Sequence, residues 1–233
     1  MKIVTWNCNG ALRRKFEYLS YFDADIYVIQ ECEDPSKTND NKYKEWSINH
    51  LWIGDSKNKG LGIFAKQGVK LELLDWSNLY NDHSVKHFLP CIVNNSFQLL
   101  GVWTHRNNSP NFGYMGQFWK YLQTNSDLFN DILIAGDFNS NAIWDQWDRW
   151  WNHSDVVKIL EGKNIKSMYH LNTGEEQGKE SEPTFFLQKN QVKPYHIDYF
   201  FVSAGFQKPK EFRVEKRDNW IQISDHVPLI IEF

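Results

Sequence analysis

Amide and carboxylate side chains stand at the ends of short apolar runs in this sequence. Residues 3–6 form the first run, which ends at Asn7. Residues 27–29 form the second run, which is followed by Gln30 and Glu31. Both runs are typical of buried strands, and a sheet can gather polar side chains at its strand ends. Such oxygen ligands suit a hard metal ion, and that ion would suit phosphate-ester chemistry. Taken alone, Asn7 also fits the start of a turn, and Glu31 fits a point where a strand meets water.

A third apolar run, at residues 132–135, leads into Gly136-Asp137-Phe138-Asn139. Asp137 and Asn139 are two residues apart, so both side chains leave the strand on the same face. They can therefore act together on one phosphate or one water molecule. An Asx turn would use the same two side chains for a structural purpose.

A fourth feature joins two segments near the end of the chain, His196-Ile197-Asp198-Tyr199 and Ser224-Asp225-His226. The second segment is followed by the apolar run at residues 227–231. A histidine beside an aspartate at the start of an apolar strand is uncommon in a plain core, although a solvated strand edge would also carry them. An imidazole near carboxylates completes the set of groups that metal-assisted phosphate chemistry uses.

In this order, the segments resemble the endonuclease/exonuclease/phosphatase superfamily, whose members include exonuclease III, apurinic endonucleases, pancreatic-type deoxyribonuclease and sphingomyelinases. The matching segments span nearly the whole chain and are Thr5-Trp6-Asn7, Gln30-Glu31, Gly136-Asp137-Phe138-Asn139, Asp198-Tyr199 and Ser224-Asp225-His226. The resemblance implies an α/β fold, a four-layer sandwich of two stacked mixed β-sheets flanked by helices. It also implies that the site lies at one edge of the two sheets.

The resemblance further implies a metal site. Glu31 resembles the main ligand of Mg²⁺, Asn7 lies beside it, and Asp225 resembles a further acidic group near the metal. Because Mg²⁺ takes oxygen ligands and keeps several waters, one firm carboxylate with a few neighbours is enough. We expect Mg²⁺ as the cofactor, with Mn²⁺ able to substitute for it.

Five residues take catalytic roles by resemblance. Asp137 resembles the group that orients or deprotonates the attacking water, and Asn139 resembles a clamp on a phosphate oxygen. His226 resembles the imidazole that holds the phosphate and stabilises charge in the transition state, and Asp198 resembles its supporting carboxylate. The leaving-group acid varies in the family between tyrosine and histidine, and here the matching strand leads to His105. A surface histidine after a strand is the alternative for His105, and the sequence assigns it no carboxylate partner.

A tryptophan-rich segment follows Asn139. Trp144, Trp147 and Trp151 are spaced so that a helix would align them on one face. Such a face would either pack against the core or form a stacking platform beside the site, where each stacked base contributes ~1–3 kcal/mol. We place Asn139, Trp144 and Asn152 in substrate binding.

Composition bounds the class of protein. The chain has 233 residues, a net charge of −3 and a pI near 6.2, which is not the charge of a strong, sequence-independent DNA binder. The three cysteines show no CxxC spacing, which favours free thiols in a reducing compartment. The sequence shows neither a signal peptide nor the run of about 18 apolar residues that a membrane helix needs. We therefore expect a cytoplasmic monomer without membrane contact, with a single catalytic domain over residues 1–233.

Apolar patterning predicts many strands and few helices. Strands are predicted at residues 3–6, 26–30, 48–53, 62–65, 69–74, 86–93, 97–104, 132–135, 184–186, 197–201, 213–216 and 227–232. Helices are predicted at residues 13–22, 116–128 and 154–161. Asn152 or Ser154 would cap the last of these helices. Polar loops are predicted at residues 34–44, 107–113 and 174–182.

Together, these features predict a Mg²⁺-dependent phosphodiesterase, a nuclease that hydrolyses phosphodiester bonds of DNA or RNA. Its partner would be nucleic acid or another phosphodiester substrate. A phosphoesterase acting on nucleotide or lipid phosphoesters shares the chemistry and stays open, as does a non-catalytic binding module on the same scaffold. The chain lacks obvious basic insertions that would grip a long duplex, so single strands, RNA and short diesters are candidate substrates.

Overall fold

The computed structural model describes residues 1–107, 109 and 111–233. Asn108 and Pro110, which belong to the predicted loop at residues 107–113, lie outside the described residues. Within the described residues, sixteen strands follow one another: β1 (Lys2–Asn7), β2 (Ile26–Cys32), β3 (His50–Ser56), β4 (Lys59–Ala65), β5 (Leu71–Leu73), β6 (Leu79–Tyr80), β7 (His83–Ser84), β8 (Phe88–Val93), β9 (Phe97–Trp103), β10 (Ile132–Asp137), β11 (Lys166–Ser167), β12 (Phe185–Phe186), β13 (Pro194–Tyr195), β14 (Asp198–Val202), β15 (Glu211–Val214) and β16 (Leu229–Glu232). The same part of the chain has six α-helices: α1 (Phe16–Leu19), α2 (Asn41–Trp46), α3 (Met115–Asn125), α4 (His153–Gly162), α5 (Met168–Thr173) and α6 (Arg217–Trp220). None of these helices has the length and hydropathy of a membrane-spanning segment.

Most of these strands form two six-stranded sheets. The first sheet has the order β15-β16-β1-β2-β4-β3, and the second has the order β11-β14-β10-β9-β8-β5. β1 and β2 are parallel, as are β9 and β10, whereas the other neighbouring strands in both sheets are antiparallel. Both sheets are therefore mixed. The pairs β6-β7 and β12-β13 lie outside them.

The two sheets pack face to face. Their inner side chains share one apolar core, which includes Val28 and Ile63 from the first sheet and Leu99 and Ala135 from the second. The close approach is visible at Gly101 of β9, where an added Cβ would lie 3.3 Å from Val28 Cγ1. A second apolar cluster forms where α3 and α4 cover the outer face of the second sheet. The predicted α/β sandwich of two mixed sheets flanked by helices is confirmed.

The strand directions bring polar residues to one edge of the sandwich. The parallel strands β1 and β2 carry Asn7 and Glu31 at their carboxyl ends. In the second sheet, β10 ends at Asp137, which lies opposite Asp198 at the start of the antiparallel strand β14. β16 runs antiparallel to β1, so His226, three residues before β16, falls near the end of β1. Sheet topology therefore gathers residues that are far apart in the sequence.

Gly136 allows β10 to approach β9 closely at this edge. Its φ is +151°, and a Cβ at this position would lie 1.8 Å from the carbonyl oxygen of Val102. Any other residue type would have to separate the two strands. The glycine before Asp137 is therefore required by packing.

Two of the three predicted helices are present. The predictions at residues 116–128 and 154–161 correspond to α3 with its terminal 3₁₀ turn and to α4. The prediction at residues 13–22 is wrong in extent, because α1 is a single turn between two 3₁₀ turns. The backbone leaves the helical region at Lys15, where φ is −128°, and at Asp23, where φ is +46°.

The predicted strands are all present in part, with shifted ends. The predicted loop at residues 34–44 is wrong at its end, because it contains the start of α2. Asp40 caps this helix by accepting a hydrogen bond from the N–H of Tyr43 at 3.1 Å. The polar first turn concealed a helix whose Tyr43 is fully buried.

The tryptophan-rich segment is not an α-helix. A 3₁₀ turn at Ala142–Trp144 precedes α4, and the chain between them follows an irregular path. The two carboxylate oxygens of Asp145 accept hydrogen bonds from the backbone N–H groups of His153 at 2.9 Å and Ser154 at 3.2 Å, so the segment folds back onto the start of α4. Trp147 is 97% exposed, and a core-facing tryptophan stripe is therefore wrong.

Candidate active site

Asp137 is the centre of a buried hydrogen-bond network. Its Oδ2 accepts from Asn7 Nδ2 at 2.9 Å and from Asn139 Nδ2 at 3.0 Å, and its Oδ1 accepts from the Asn139 backbone N–H at 2.8 Å. Burial and the neighbouring Asp198 raise the pKa of Asp137 to about 7, against the opposing effect of His226. A carboxyl group with this pKa can accept a proton near neutral pH, as a general base must.

His226 is held by Asp198. Its Nδ1 lies 2.9 Å from Oδ2 of Asp198, and both side chains are buried. Burial lowers the pKa of His226, but the charge and hydrogen bond of Asp198 outweigh it and raise the pKa to about 9. The ring is therefore an imidazolium at neutral pH, and it has a second N–H, at Nε2, that does not face Asp198.

Two residues that the sequence did not single out hold the segment of His226. The hydroxyl of Ser224 donates to the backbone carbonyl of Asn7 at 2.8 Å and accepts from the His226 N–H at 3.1 Å. The indole N–H of Trp6 donates to the His226 carbonyl at 3.1 Å. Both residues stand inside matched segments, but the bonds from Ser224 to Asn7 and from Trp6 to His226 join residues more than 200 positions apart and form only in the folded chain.

Thr184 holds the backbone at Asp198. Its Oγ1 accepts from the N–H groups of Ile197 at 3.0 Å and Asp198 at 3.1 Å, and the whole side chain is buried. Oδ1 of Asp198 is also buried and has no hydrogen-bond partner among the residues that the structure describes. An unpartnered carboxylate oxygen next to the second buried carboxylate, Asp137, fits a bound cation.

A group with metal-ligand spacing lies in this cluster. One ligand atom from each of its members is within 4.8 Å of the others, and the members are Asp137, Asp198 and His226. All three residues are buried, so a cation among them would lie in a low-dielectric environment. The predicted ligands Glu31 and Asp225 are not members of this group, whereas the predicted ligand Asn7 contacts it through the hydrogen bond of its Nδ2 to Asp137.

Glu31 lies beside the cluster and is paired with a lysine. Its Oε1 is 3.4 Å from Asn7 Nδ2, and its Oε2 is 2.7 Å from Nζ of Lys59. The φ of Glu31 is +62°, at a β-bulge of β2. Sequence spacing does not reveal Lys59, which the antiparallel pairing of β2 and β4 brings here. Asp225 is half-buried, and its charge contributes to the raised pKa of His226.

His105 lies outside the buried cluster. It is exposed just beyond the end of β9, with its ring 5.2 Å from Trp103 and 5.7 Å from His87. His87 is buried, and its Nε2 lies 3.8 Å from Oδ2 of Asp55. His105 and Asp55 line the same cavity of about 650 Å³. The sequence assigned no carboxylate to His105, and the structure places Asp55 in the same cavity.

Trp144, Asn152 and Asn139 line a second cavity, of about 290 Å³. Trp144 is 44% exposed, and its ring lies 5.1 Å from the ring of Tyr195. The prediction that Asn152 caps α4 is confirmed. Its side-chain amide accepts from the backbone N–H of Gln146 at 2.9 Å and donates to the Gln146 carbonyl at 2.8 Å. Trp144 and Asn139 therefore present surface to one cavity, whereas the amide of Asn152 is engaged in shaping the loop.

The arrangement of these segments agrees with a family comparison. The sequence model of the endonuclease/exonuclease/phosphatase family matches residues 4–226. The chain belongs to the endonuclease/exonuclease/phosphatase family. Members of this family generally depend on a divalent metal ion, and the carboxylates of Asp137 and Asp198 in the buried cluster are a possible place for one.

Solved structures share this endonuclease/exonuclease/phosphatase fold. The 3′ phosphatase NExo from Neisseria bound to a product DNA hairpin and the 3′–5′ exonuclease NExo from Neisseria meningitidis each match with a TM-score of 0.70 and 18% identity, over 100% of this chain and 99% of theirs. An AP endonuclease from Archaeoglobus fulgidus matches with a TM-score of 0.72 and 16% identity, over 100% and 99% of the two chains. At these identities the likeness establishes the fold. No curated protein sequence matched the chain. Membership of the family supports a phosphoesterase, a hydrolase of the nuclease type.

Proposed function

We propose that this protein is a metal-dependent phosphodiesterase that hydrolyses the phosphodiester bonds of DNA or RNA. The observation that carries the proposal is the buried cluster in which Asp137 binds Asn7 and Asn139 beside the Asp198–His226 pair. Phosphodiester cleavage builds negative charge on the phosphoryl oxygens and on the departing oxygen. The cluster offers a base, carboxylates for a cation and an imidazolium. The DNA hairpin bound by the Neisseria NExo supports nucleic acid as the class of substrate.

The donor set fits Mg²⁺, with Mn²⁺ as a substitute. Glu31, Asn7 and Asp225 would hold the ion, and the unpartnered oxygen of Asp198 is available in the adjoining cluster. Oxygen-rich ligand sets of this kind suit both cations. When bound, the ion would polarise the phosphate and neutralise part of its charge.

Asp137 would orient and deprotonate the attacking water. Its pKa of about 7 gives it useful proton affinity near neutral pH, and the amides of Asn7 and Asn139 fix its direction. Asn139 also donates to the Thr104 carbonyl at 3.2 Å, so its side chain is positioned before substrate binds. A phosphate contact by Asn139 would replace one of these hydrogen bonds.

His226 would hold the phosphate and stabilise its developing charge. The carboxylate of Asp198 accepts a hydrogen bond from the Nδ1–H of His226. The Nε2–H of the imidazolium is therefore free to donate to a phosphoryl oxygen. His105 would protonate the leaving oxygen, since it is exposed next to the strand end that lies opposite Asp137. We propose that the chain works as a cytoplasmic monomer with one catalytic domain. Its three cysteines are free and buried, as a reducing compartment permits.

The test is cleavage of a labelled single-stranded oligonucleotide with Mg²⁺. Asp137→Asn and His226→Ala should each lower the rate ~100-fold or more, because they remove the base and the charge-stabilising imidazolium. Excess chelator should abolish cleavage. Asp127→Asn is the control, because the Asp127 side chain is 97% exposed and pairs with Lys163 on the surface.

His105→Ala adds a second comparison. It should slow cleavage of the oligonucleotide more than that of a p-nitrophenyl diester, because a good leaving group needs little help from an acid. Cleavage that survives both Asp137→Asn and His226→Ala, or that persists in chelator, would contradict the proposed site.

A further inference from the structure

We propose that the cavity beside Asn139 holds the base of an unpaired nucleotide whose phosphate lies in the catalytic cluster. The inference rests on the proposed nuclease function and narrows its substrate to single strands, frayed ends or extruded nucleotides. The cavity has a volume of about 290 Å³. Sites for small molecules begin near ~300 Å³, so this cavity suits one nucleoside and not an extended ligand.

Three segments of the chain meet at the cavity. They are residues 113–116 at the start of α3, residues 139–141 after β10, and the tryptophan-rich loop before α4. Residues 139–141 continue directly from Asp137, and Asn139 also belongs to the hydrogen-bond network of Asp137. The cavity and the catalytic cluster therefore share a wall, and one nucleotide can occupy both.

Two indole rings line the cavity, and neighbouring groups hold both of them. Trp151 stacks on Phe112 with ring centroids 3.9 Å apart and planes inclined by 22°, and its Nε1 donates to the carbonyl of Asn111 at 2.9 Å. Trp144 packs against Tyr195 and keeps 44% of its surface exposed. Rings that are ordered before a ligand arrives lose little conformational freedom when a base stacks on them. This arrangement favours recognition through the flat face of a base.

The polar groups of the cavity are mostly engaged by the protein itself. The carboxylate of Asp145 binds the first N–H groups of α4, and the amide of Asn152 binds the loop backbone. Arg149 differs, because its Nε lies 3.9 Å from Asp148, beyond hydrogen-bond distance, and its side chain is 45% exposed. The cavity thus offers π faces and one cation, without a fixed set of partners for one base edge. Binding by stacking would tolerate every base.

The base must be unpaired to reach this cavity. A base inside a duplex is stacked on both faces and has to leave the helix before it can enter a side pocket. Stacking also needs no basic excess, which agrees with the net charge of −3. The tryptophan-rich loop would therefore select single-stranded or extruded nucleotides by stacking. A protein that binds duplexes relies instead on positive charge.

The experiment compares two labelled single-stranded oligonucleotides with equal numbers of phosphates. One carries thymine at every position, and the other carries the abasic tetrahydrofuran sugar. Binding is measured by fluorescence anisotropy in chelator, so that cleavage does not interfere. Trp144→Ala should weaken binding of the thymidine strand by about 5- to 20-fold, as expected for a lost stacking partner, and leave the abasic strand unchanged.

Trp147→Ala is the matched control. It removes an indole that is 97% exposed and does not line the cavity, so binding of both strands should stay at the wild-type level. Trp151→Phe should retain most of the affinity that Trp151→Ala loses, because a ring remains. Circular dichroism of each variant checks that it is folded. With Mg²⁺, the loss in Trp144→Ala should appear in KM and not in kcat.

The outcomes separate this inference from the nuclease function. Equal binding of the two strands by the wild-type protein, or an equal loss of both in Trp144→Ala, would overturn the base cavity while cleavage leaves the nuclease function standing. Absence of any oligonucleotide cleavage by the wild-type protein would overturn both. Trp144-dependent hydrolysis of a choline phosphodiester without oligonucleotide binding would assign the cavity to a quaternary ammonium group and would also overturn the proposal.

Discussion

At the scale of single residues, two aspartates of the candidate site differ in their chemistry because their surroundings differ. Burial and the charge of Asp198 raise the pKa of Asp137 to about 7, although the hydrogen bond from Asn7 lowers it. Asp198 faces an imidazolium that it holds through a hydrogen bond at 2.9 Å. One carboxylate is therefore suited to exchanging a proton and the other to fixing His226. Lys59 is the cation next to this group of acids, through its ion pair with Glu31.

Lys59→Met should strengthen divalent-ion binding about two- to fivefold. The ammonium of Lys59 occupies one oxygen of Glu31 and repels a cation nearby, and a half-exposed pair of this kind is worth up to about 1 kcal/mol. The measurement is titration of the protein with Mn²⁺ alone, by calorimetry or electron spin resonance.

Lys57→Met is the control for this change, since Lys57 is exposed nearby and its replacement alters the net charge equally. Unchanged or weaker Mn²⁺ affinity in Lys59→Met would show that Glu31 is not a ligand.

At the scale of structural elements, a buried polar network supports the loop after β10. Asn141 Nδ2 donates to Glu180 Oε2 at 3.0 Å and to the carbonyl of His196 at 2.9 Å. His153 Nδ1 lies 3.3 Å from the hydroxyl of Ser140. These bonds connect the loop, the start of α4 and the chain before β14. They keep Asn139 in register with Asp137 although the loop itself has little regular structure.

This network should make the protein sensitive to acid. Burial raises the pKa of Glu180, but hydrogen bonds, first from His170 and then from Asn141, outweigh it and lower the pKa to about 2. Burial lowers the pKa of His153 to about 4. In both cases there is a pH window in which the unfolded chain binds more protons than the folded one. The window lies between pH 4.5 and about 2 for Glu180 and between pH 6.5 and about 4 for His153. Stability is therefore present above these windows and is lost as pH falls through them.

Glu180→Gln should lower the free energy of unfolding near neutral pH by about 2–3 kcal/mol, and the variant should lose less than the wild type on further acidification below pH 4.5. Urea unfolding at several pH values measures both effects. Glu176→Gln is the control, because Glu176 is exposed and pairs with Lys179. Parallel acid curves for wild type and Glu180→Gln would contradict this account.

At the scale of the whole molecule, the proposed function requires an acidic protein to bind a polyanion. The chain carries 26 basic and 29 acidic residues, so general attraction to phosphate is weak. In the proposed function, the protein binds its substrate through local contacts. A metal ion and the imidazolium of His226 hold one phosphate, and aromatic rings hold one base.

Binding of a single-stranded oligonucleotide should therefore depend little on salt. A plot of log affinity against log salt concentration should have a slope of magnitude below about 3, because each neutralised phosphate of a single strand contributes about 0.7. Anisotropy titrations at several salt concentrations measure the slope. A markedly steeper value would mean that an extended row of phosphates is bound and that charge dominates recognition.

Apolar patterning predicted the elements that are buried on both sides and missed those that depend on partners. β1, β2 and β10 are continuous apolar runs, which predict buried strands without knowledge of their neighbours. The polar residues at their ends could be recognised in the sequence. α2 was missed because its polar first turn resembles a loop until Tyr43 finds the core. The segment around Trp147 has helical spacing, but the carboxylate of Asp145 binds the backbone N–H groups of His153 and Ser154, and the indoles before them lie outside an α-helix.

By itself, the sequence determined the longer strands and the order of the polar segments, because residue type and local periodicity are properties of short stretches; the two-residue strands β6, β7, β11 and β13 were not predicted. The order of the polar segments carried the family resemblance, and with it the phosphoesterase class. The tertiary structure alone decided that Ser224 binds Asn7, that Lys59 pairs with Glu31 and that Thr184 holds Asp198. These contacts join residues 14 to 217 positions apart, and only the stacking and register of the sheets set their distances. Charge states follow the same rule, because burial and neighbours, which the chain acquires on folding, shift each pKa.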